Sequence, residues 1–246
     1  MSASDAAGFD RRAASYEEHR PVDADWWEVY ERVVELGRLR GRRVLEVGCG
    51  TGRLAEALAA REGSRVFAVD ASAAMVEQAR ARGVNARHAR AESLPFKPGW
   101  FDTVVMRMVV HLLDRPRALA EAVRVLAADG RIVIATEDPA SLDQVWFSAY
   151  FPSVPTIDRA RFPSAEALRA ELTAAGLPRV SIEELHQERT ISRVRALALL
   201  AARAYSTFDL LAPAEYQAGL ARAEAELPDE FGYRFDWLLA VGTRRS

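Results

Sequence analysis

Residues 44–52 read Val-Leu-Glu-Val-Gly-Cys-Gly-Thr-Gly, and this stretch decides the fold. An apolar strand runs into glycines at every second position, a helix-forming run follows at 53–61, and a second apolar strand at 65–69 ends on Asp70. Glycine lets the backbone approach a ligand where a Cβ atom would collide. A carboxylate at the tip of the second strand can accept both hydroxyls of a ribose. The pattern therefore predicts a nucleoside-binding half-site.

The same glycines could belong to a dinucleotide site, which carries the pattern Gly-x-Gly-x-x-Gly. Counted from Gly48 and Gly50, that pattern requires a third glycine at position 53, where this chain has Arg53. The departure favours a nucleoside ligand without a pyrophosphate.

Apolar strands and helical patterns alternate through the first half of the chain. Alternation of this kind predicts a mostly parallel sheet with helices on both faces. The predicted strands are 43–47, 65–69, 84–89, 101–106 and 130–136, and the predicted helices between them are 53–61, 72–82 and 115–127.

The two ends of the chain have a different character. The first forty residues read as two helices, and residues 137–163 combine four prolines with many aromatic residues and no clean period. Further on, the patterns predict a helix at 164–175, a strand at 180–185, helices within 190–226 broken near Pro213, and a strand at 233–243.

Composition narrows the class of protein. Half of the 246 residues are apolar and the formal net charge is −2, so no global basic field is available to hold nucleic acid. The single cysteine cannot form an internal disulfide bond, which fits a reducing compartment. No stretch approaches the ~20 apolar residues of a membrane span, and residues 1–21 lack the apolar core of a signal peptide. We expect a cytoplasmic protein without a membrane partner.

Taken in order, four motifs resemble those of class I S-adenosylmethionine-dependent methyltransferases of the small-molecule type. The resemblance covers residues 9–136 well and 160–243 more loosely. The motifs are 44–52, 66–72 with the carboxylate, 91–96 followed by 101–105, and the turn 126–131 before strand five. The resemblance implies an α/β fold, a doubly wound Rossmann-like seven-stranded sheet that is mostly parallel with an antiparallel last strand.

The resemblance also implies how the chain is divided. We expect a single methyltransferase domain over residues 1–246, with a helical cap from the N-terminus and from C-terminal insertions. Its core would comprise about 41–136, 164–186 and 232–244, and its cap 1–40, 137–163 and 187–231.

The cofactor expected from the resemblance is S-adenosylmethionine, with S-adenosylhomocysteine as product and no metal. In this reading Asp70 binds the ribose, and Glu46 meets the ammonium of the methionine part. The remaining cofactor-binding residues implied by the resemblance are Tyr16, Arg20, Gly48, Cys49, Gly50, Ala71, Met75, Ala91, Glu92 and Arg107. Leu94 or Met108 would face the adenine. The family commonly has an acidic residue just before Ala91, whereas this chain has Arg90, which cannot accept a hydrogen bond.

His111, just beyond strand four, is the leading candidate for a general base, because an unperturbed histidine has a pKa of ~6.5. It could instead cap or orient a loop. The other candidates for the base are Glu137 and Asp138 at the end of strand five, and His19 near the N-terminus.

We expect transfer of the methyl group by in-line displacement to a small, partly apolar acceptor. Oxygen is the commonest acceptor atom, with nitrogen and carbon left open. Two alternatives remain, a protein that binds S-adenosylmethionine without transferring methyl, and an enzyme that modifies RNA or protein. We expect no nucleic-acid partner, and a monomer or homodimer.

Overall fold

A single seven-stranded sheet forms the centre of the molecule. The computed structural model describes the backbone of residues 3–244 and the side chains of residues 8–244. The strands are β1 Arg43–Val47, β2 Arg65–Asp70, β3 Ala86–His88, β4 Phe101–Arg107, β5 Leu126–Glu137, β6 Arg179–Ser192 and β7 Glu230–Thr243. Their order is β3-β2-β1-β4-β5-β7-β6, and β7 runs antiparallel to both of its neighbours. The expected fold class is confirmed.

Helices cover both faces of this sheet. Along the described chain the helices are α1 Ala3–Arg12, α2 Ala24–Gly37, α3 Arg53–Glu62, α4 Ala73–Ala81, α5 Arg115–Val125, α6 Val154–Arg161, α7 Ala165–Ala174, α8 Arg193–Ala201 and α9 Pro213–Glu226. Because successive side chains of a strand point to opposite faces, Val104 and Ile132 pack under α5 and α7. Their neighbours Val105 and Val133 pack under α2 and α3. Within the described residues, none of the helices combines the length and apolar character that a membrane span requires.

Helix α2 belongs to this packing and not to the cap in which we expected residues 1–40. Val29, Tyr30, Val33 and Val34 recur at helical spacing and are buried against the sheet. The apolar stripe they form is removed from water by lying on this face of the sheet.

The last two strands are longer than their apolar patterns predicted. The expected strands were 180–185 and 233–243, but the paired residues run from Arg179↔Thr243 to Ser192↔Glu230. Residues 186–192 are largely polar, so pairing with the partner strand, rather than an apolar pattern, stabilises them as a strand.

The extra length forms an arm that projects beyond the carboxyl edge of the sheet. Strand β5 ends at Glu137, which pairs with Trp237. The seven pairs from His186↔Asp236 to Ser192↔Glu230 therefore extend past that edge, a distance of about 23 Å at ~3.3 Å per residue. The arm carries α8 and α9 above the edge.

A cap with its own hydrophobic core lies at the end of this arm. Its largest buried side chains include Trp146, Phe147, Phe151 and Phe208. Residues 137–163, for which no period was visible, supply a 3-10 turn at Pro139–Gln144 and helix α6. The aromatic residues of that segment mostly pack against one another and against α8 and α9.

The first of the two helices expected within the first forty residues is short. Helix α1 stops at Arg12, and a 3-10 turn at Ala13–Ser15 follows. Glu17 then pairs with Arg53 and Arg82, which ties the chain after the turn to α3 and to the end of α4. This segment crosses the glycine turn that follows β1.

Candidate cofactor and acceptor site

The glycine turn after β1 requires glycine for two reasons. Gly48, Gly50 and Gly52 have φ angles of 73°, 52° and 83°, a region that other residues adopt only with strain. A Cβ atom on Gly48 would also lie 2.4 Å from a methyl carbon of Val109. The turn is held by Val69, whose carbonyl accepts hydrogen bonds from the N–H groups of residues 48 and 49 at 2.8 and 3.1 Å.

Asp70 closes the same turn from the tip of β2. Its carboxylate accepts the N–H of Gly50 at 2.8 Å and the N–H of Ser72 at 2.9 Å. Burial raises the pKa of Asp70, and these backbone hydrogen bonds oppose the rise. A carboxylate so placed is fixed in position and still borders the cleft.

A cleft of about 580 Å³, counting the part open to solvent, lies along the carboxyl ends of β1, β2 and β4. Of the residues that the sequence indicated, the structure brings Tyr16, Gly48, Gly50, Asp70, Ala71, Met75, Ala91, Arg107 and Met108 to its wall.

Other parts of the wall were not expected. Phe9 reaches it from α1, and Ala89, Val109, Leu112 and Leu113 border it as well. Leu112 and Leu113, which follow one another a few residues beyond the end of β4, were a sequence signal for this part of the wall. No sequence pattern indicated Phe9, because its contact with the cleft depends on where α1 packs.

Cys49, expected among the cofactor-binding residues, is not part of the cleft wall. Its sulfur packs behind the turn with Ala55, Ala68 and Val76, and burial raises the pKa of its thiol. Its carbonyl accepts the N–H of Gly52 at 2.9 Å. Cys49 therefore stabilises the turn, because its N–H and its carbonyl group both form hydrogen bonds that hold it.

Glu92 also lies outside the cleft wall. Its carboxylate accepts the N–H of Asp114 at 3.1 Å and forms an ion pair with Arg90 at 3.4 Å. Leu94, expected against the adenine, is buried in the main core instead. The adenine end of the cleft therefore presents Ala71, Met75, Ala89 and Ala91, which offer apolar contacts and backbone groups.

Arg20 is directed away from the cleft wall, while Tyr16 remains in it. The Arg20 guanidinium donates to the carbonyl of Ala204 at 2.6 Å and lies 4.1 Å from the centre of the Tyr16 ring. A ring carbon of Tyr16 lies 3.9 Å from the place a Cβ on Gly50 would take. Arg20 thus holds Tyr16 over the turn and links the N-terminal segment to the cap.

Two side chains that can carry opposite charges lie on one face of the sheet beside the turn. Glu46 is buried, its Oε2 has no partner among the described residues, and burial raises its pKa to about 8, against the attraction of Arg107. Arg107 has a buried Nε without a described partner, and its guanidinium carbon lies 4.9 Å from the ring centre of Trp26 and 5.6 Å from that of Trp237. Burial lowers the pKa of Arg107 to about 10. An α-amino acid group, with an ammonium and a carboxylate, fits this pair of unsatisfied groups.

The surroundings of His111 do not favour a base. Its ring stacks on Phe162 with centroids 4.2 Å apart, outside the cleft wall. Burial, and to a smaller extent the charge of Arg161, lowers the pKa of His111 to about 3. A proton acquired during a reaction would therefore be held weakly.

The three other candidates for the base differ among themselves. Asp138 accepts the N–H of Ala140 at 2.9 Å and caps a 3-10 turn. Burial and the charge of Arg195 lower the pKa of His19. Burial raises the pKa of Glu137 to about 8. Within the described residues, no cluster of three or more His, Cys, Asp or Glu side chains is placed to hold a metal ion.

Comparison with known proteins adds to this geometry. Residues 45–134 match a sequence family described as "Methyltransferase domain". A malonyl-[acyl-carrier protein] O-methyltransferase of Geobacter sulfurreducens is 35% identical over 189 residues, which is 71% of this chain and 70% of that protein.

Two solved structures share the fold. The YcgJ protein of Bacillus subtilis superposes with a TM-score of 0.62 at 21% identity, over 89% of this chain and 99% of that one. A geranyl diphosphate C-methyltransferase of Streptomyces coelicolor, crystallised with S-adenosylhomocysteine, gives a TM-score of 0.55 at 18% identity, over 88% and 78% of the two chains.

Proposed function

Because this chain belongs to the S-adenosylmethionine-dependent methyltransferases, we propose that it transfers the methyl group to an oxygen atom of a small, partly apolar acceptor. The observation that supports binding of the methyl donor is the pair of unsatisfied buried groups, Glu46 Oε2 and Arg107 Nε, beside the glycine turn. They suit the amino-acid end of the methyl donor, while Asp70 suits its ribose.

When bound, S-adenosylmethionine supplies an electrophilic methyl carbon on a positively charged sulfur. The chain's own residues hold and orient it. Gly48 and Gly50 permit close backbone contact, Asp70 accepts the ribose hydroxyls, and Tyr16 covers the turn. Holding the methyl donor and acceptor in line lowers the entropic part of the barrier.

The cap supports a small acceptor with apolar parts. It stands over the carboxyl edge of the sheet on the β6–β7 arm, and its interior is aromatic. Ligands of open α/β sheets bind outside this edge, so the acceptor would lie between the edge and the cap. The name of the Geobacter sulfurreducens relative, an O-methyltransferase, supports oxygen as the acceptor atom.

Two measurements test this proposal. Calorimetry should show that the purified chain binds S-adenosylhomocysteine in a one-to-one ratio. Incubation with methyl-labelled S-adenosylmethionine and a panel of phenols, alcohols, carboxylic acids and amines should then label an oxygen nucleophile. Binding without transfer to any member of the panel would favour the alternative of a protein that holds the cofactor only. Labelling of amines alone would overturn oxygen as the acceptor atom.

A further inference from the structure

Glu137, the last residue of β5, stands at the carboxyl end of the sheet, on the strand-five side of Arg107, which borders the cleft. It lies on the same face of the sheet as Arg107, because Arg107 pairs with Ala135 and side chains alternate along a strand. Strand β4 ends at Arg107, so Glu137 is located about 7 Å farther along the strand direction, at ~3.3 Å per residue. Its cross-strand partner is Trp237, whose ring contacts the Arg107 guanidinium in the cleft wall.

The other carboxylates around Glu137 are all engaged. Asp158 accepts the Thr207 hydroxyl at 2.8 Å, and Asp236 accepts from Arg234 at 2.5 Å. Asp138 caps its 3-10 turn. In the part of the chain that the structure describes, the Glu137 carboxylate accepts no hydrogen bond, and the groups that act on it do so through their charge.

The charged groups that face Glu137 do not compensate a negative charge on its carboxylate. Asp158 on α6, Asp236 on β7 and the adjacent Asp138 repel a negative charge there, and Tyr205, before the 3-10 turn at Ser206–Leu210, interacts with it as well. Arg189 on β6 attracts it. Arg189, however, already forms an ion pair with Asp25 at 3.0 Å. Glu137 is therefore a partly buried carboxyl group without a dedicated partner, at the edge where an acceptor would lie.

We infer that Glu137 takes the proton from an acceptor hydroxyl during methyl transfer, and that the acceptor is consequently a neutral alcohol, phenol or enol and not a carboxylate. This inference rests on the proposed function. It deepens that function by assigning the base and by excluding an anionic acceptor, since two like charges in a desolvated site repel each other strongly.

The step balances without a further reactant. The acceptor O–H bond breaks and its proton passes to the Glu137 carboxylate. An electron pair of the oxygen forms the new O–C bond to the methyl carbon. The C–S bond breaks with its electron pair remaining on sulfur, which becomes neutral, and Glu137 later releases the proton to solvent.

The pH dependence follows from the surroundings of Glu137. Burial first, and then the charge of Asp158, raise its pKa to about 8. A base must be ionised to accept a proton, so we expect the rate to rise as the pH rises through about 8. A raised pKa also brings a carboxylate close to the basicity that suits proton transfer at neutral pH.

The first test does not require the acceptor. S-adenosylmethionine carries a sulfonium charge that S-adenosylhomocysteine lacks, and a nearby positive charge favours ionised Glu137. At pH 7.5, calorimetry in two buffers of different ionisation enthalpy should show more proton release with the methylated ligand than with the demethylated one. Glu137→Gln should abolish this difference. Glu35→Gln, a matched change at an exposed position on α2, should retain it.

The second test uses two matched probes, 2-naphthol and 2-naphthoate. We expect the wild-type protein to methylate the naphthol in preference. Glu137→Gln should lower kcat by about 10²–10⁴-fold and remove the rise with pH, while the affinity for S-adenosylhomocysteine stays within about twofold of wild type. Glu137→Asp, which keeps the carboxyl group, should recover part of kcat and serves as the second variant if the glutamine variant does not fold.

The outcomes separate the inference from the proposed function. An unchanged calorimetric difference in Glu137→Gln, or faster methylation of 2-naphthoate than of 2-naphthol, overturns the role of Glu137. If neither probe is methylated, the calorimetric difference alone decides it. Failure of the wild-type protein to bind either cofactor form overturns the proposed function itself.

Discussion

The carboxylate of Asp70 accepts a hydrogen bond from the backbone N–H of Gly50 at 2.8 Å, so the tip of β2 holds the turn that follows β1. Its second oxygen accepts from Ser72 at the start of α4. One side chain therefore joins two strand ends and a helix start, and the same carboxylate borders the cleft. The part of the site that we assign to the ribose is also part of the fold.

Asp70→Asn should weaken binding of S-adenosylhomocysteine by about 10–100-fold, since hydrogen bonds to charged groups contribute ~1.5–3 kcal/mol. It should also lower the free energy of unfolding, because an amide nitrogen would face a backbone N–H. Calorimetry and urea denaturation measure the two effects. Asp143→Asn is the matched control at an exposed position. Wild-type affinity in Asp70→Asn would contradict the ribose role.

Gly48→Ala should destabilise the protein by about 1–3 kcal/mol more than Gly99→Ala, because overpacking adds to backbone strain. The two glycines have similar φ angles of 73° and 70°. A Cβ on Gly48 would lie 2.4 Å from Val109, whereas nothing lies within 4 Å of the place a Cβ on Gly99 would take. Urea denaturation of both variants isolates the steric part, and equal losses would show that Val109 moves aside freely.

Arg107→Met should weaken S-adenosylhomocysteine binding by about 10–100-fold, as expected for a charge-assisted hydrogen bond. Arg20→Met should have a smaller effect, because Arg20 contacts the cofactor side only through Tyr16. The control ligand is 5′-methylthioadenosine, which lacks the amino-acid end and should bind Arg107→Met as it binds wild type. Equal losses for both ligands would place Arg107 elsewhere in the site.

His111→Phe should retain turnover within about threefold, because the new ring can keep the stack on Phe162 and the histidine is not the base that we propose. The lowered pKa of His111, about 3, also predicts a pH effect on stability. A neutral buried histidine stabilises the fold above its ordinary pKa, and this contribution is lost as the pH falls below about 6.5. Denaturation at pH 4–7 should show a smaller loss in His111→Phe, and a wild-type slope in the variant would contradict the burial of His111.

The pKa values of Glu46 and Glu137 are both raised to about 8. These two groups should therefore change stability with pH in the direction opposite to that of His111. Each binds a proton more tightly in the folded chain, so stability falls as the pH rises from about 4.5 to 8, by up to about 1.4 kcal/mol per pH unit for each group. Relative to wild type, Glu137→Gln should therefore become progressively more stable between pH 5 and pH 8. Glu35→Gln should follow the wild-type curve, and parallel curves for Glu137→Gln would contradict the raised pKa.

Local patterns were sufficient for the centre of the fold. Strand β1, helix α3 and strand β2 lie within one or two residues of their predicted positions, because each combines an apolar period with a clear stop. The same patterns missed the length of β6, whose residues 186–192 are polar and become a strand only by pairing with β7. They also assigned α2 to the cap, since an apolar helical stripe does not say which surface covers it.

The residues of the candidate site also fall into two groups: those whose positions local patterns indicated, and those whose contacts depend on tertiary packing. Gly48, Gly50, Asp70 and Arg107 stand at or beside strand ends, so their convergence follows from the order of the strands alone. Cys49 and Glu92 carry suitable chemistry at suitable positions, yet their contacts direct them into the turn and toward Asp114. Which way a side chain points, and what it contacts, depends on the packing of distant segments.

By itself the sequence determined the part of the protein that we assign to binding the methyl donor. A glycine turn, a carboxylate and their spacing lie within thirty residues, and a local geometry needs only local residues. Tertiary structure alone decided the pKa values of the candidate bases, since desolvation lowers that of His111 and raises that of Glu137. It also decided where the cap stands, because the long register between β6 and β7 carries residues 193–229 over the edge of the sheet.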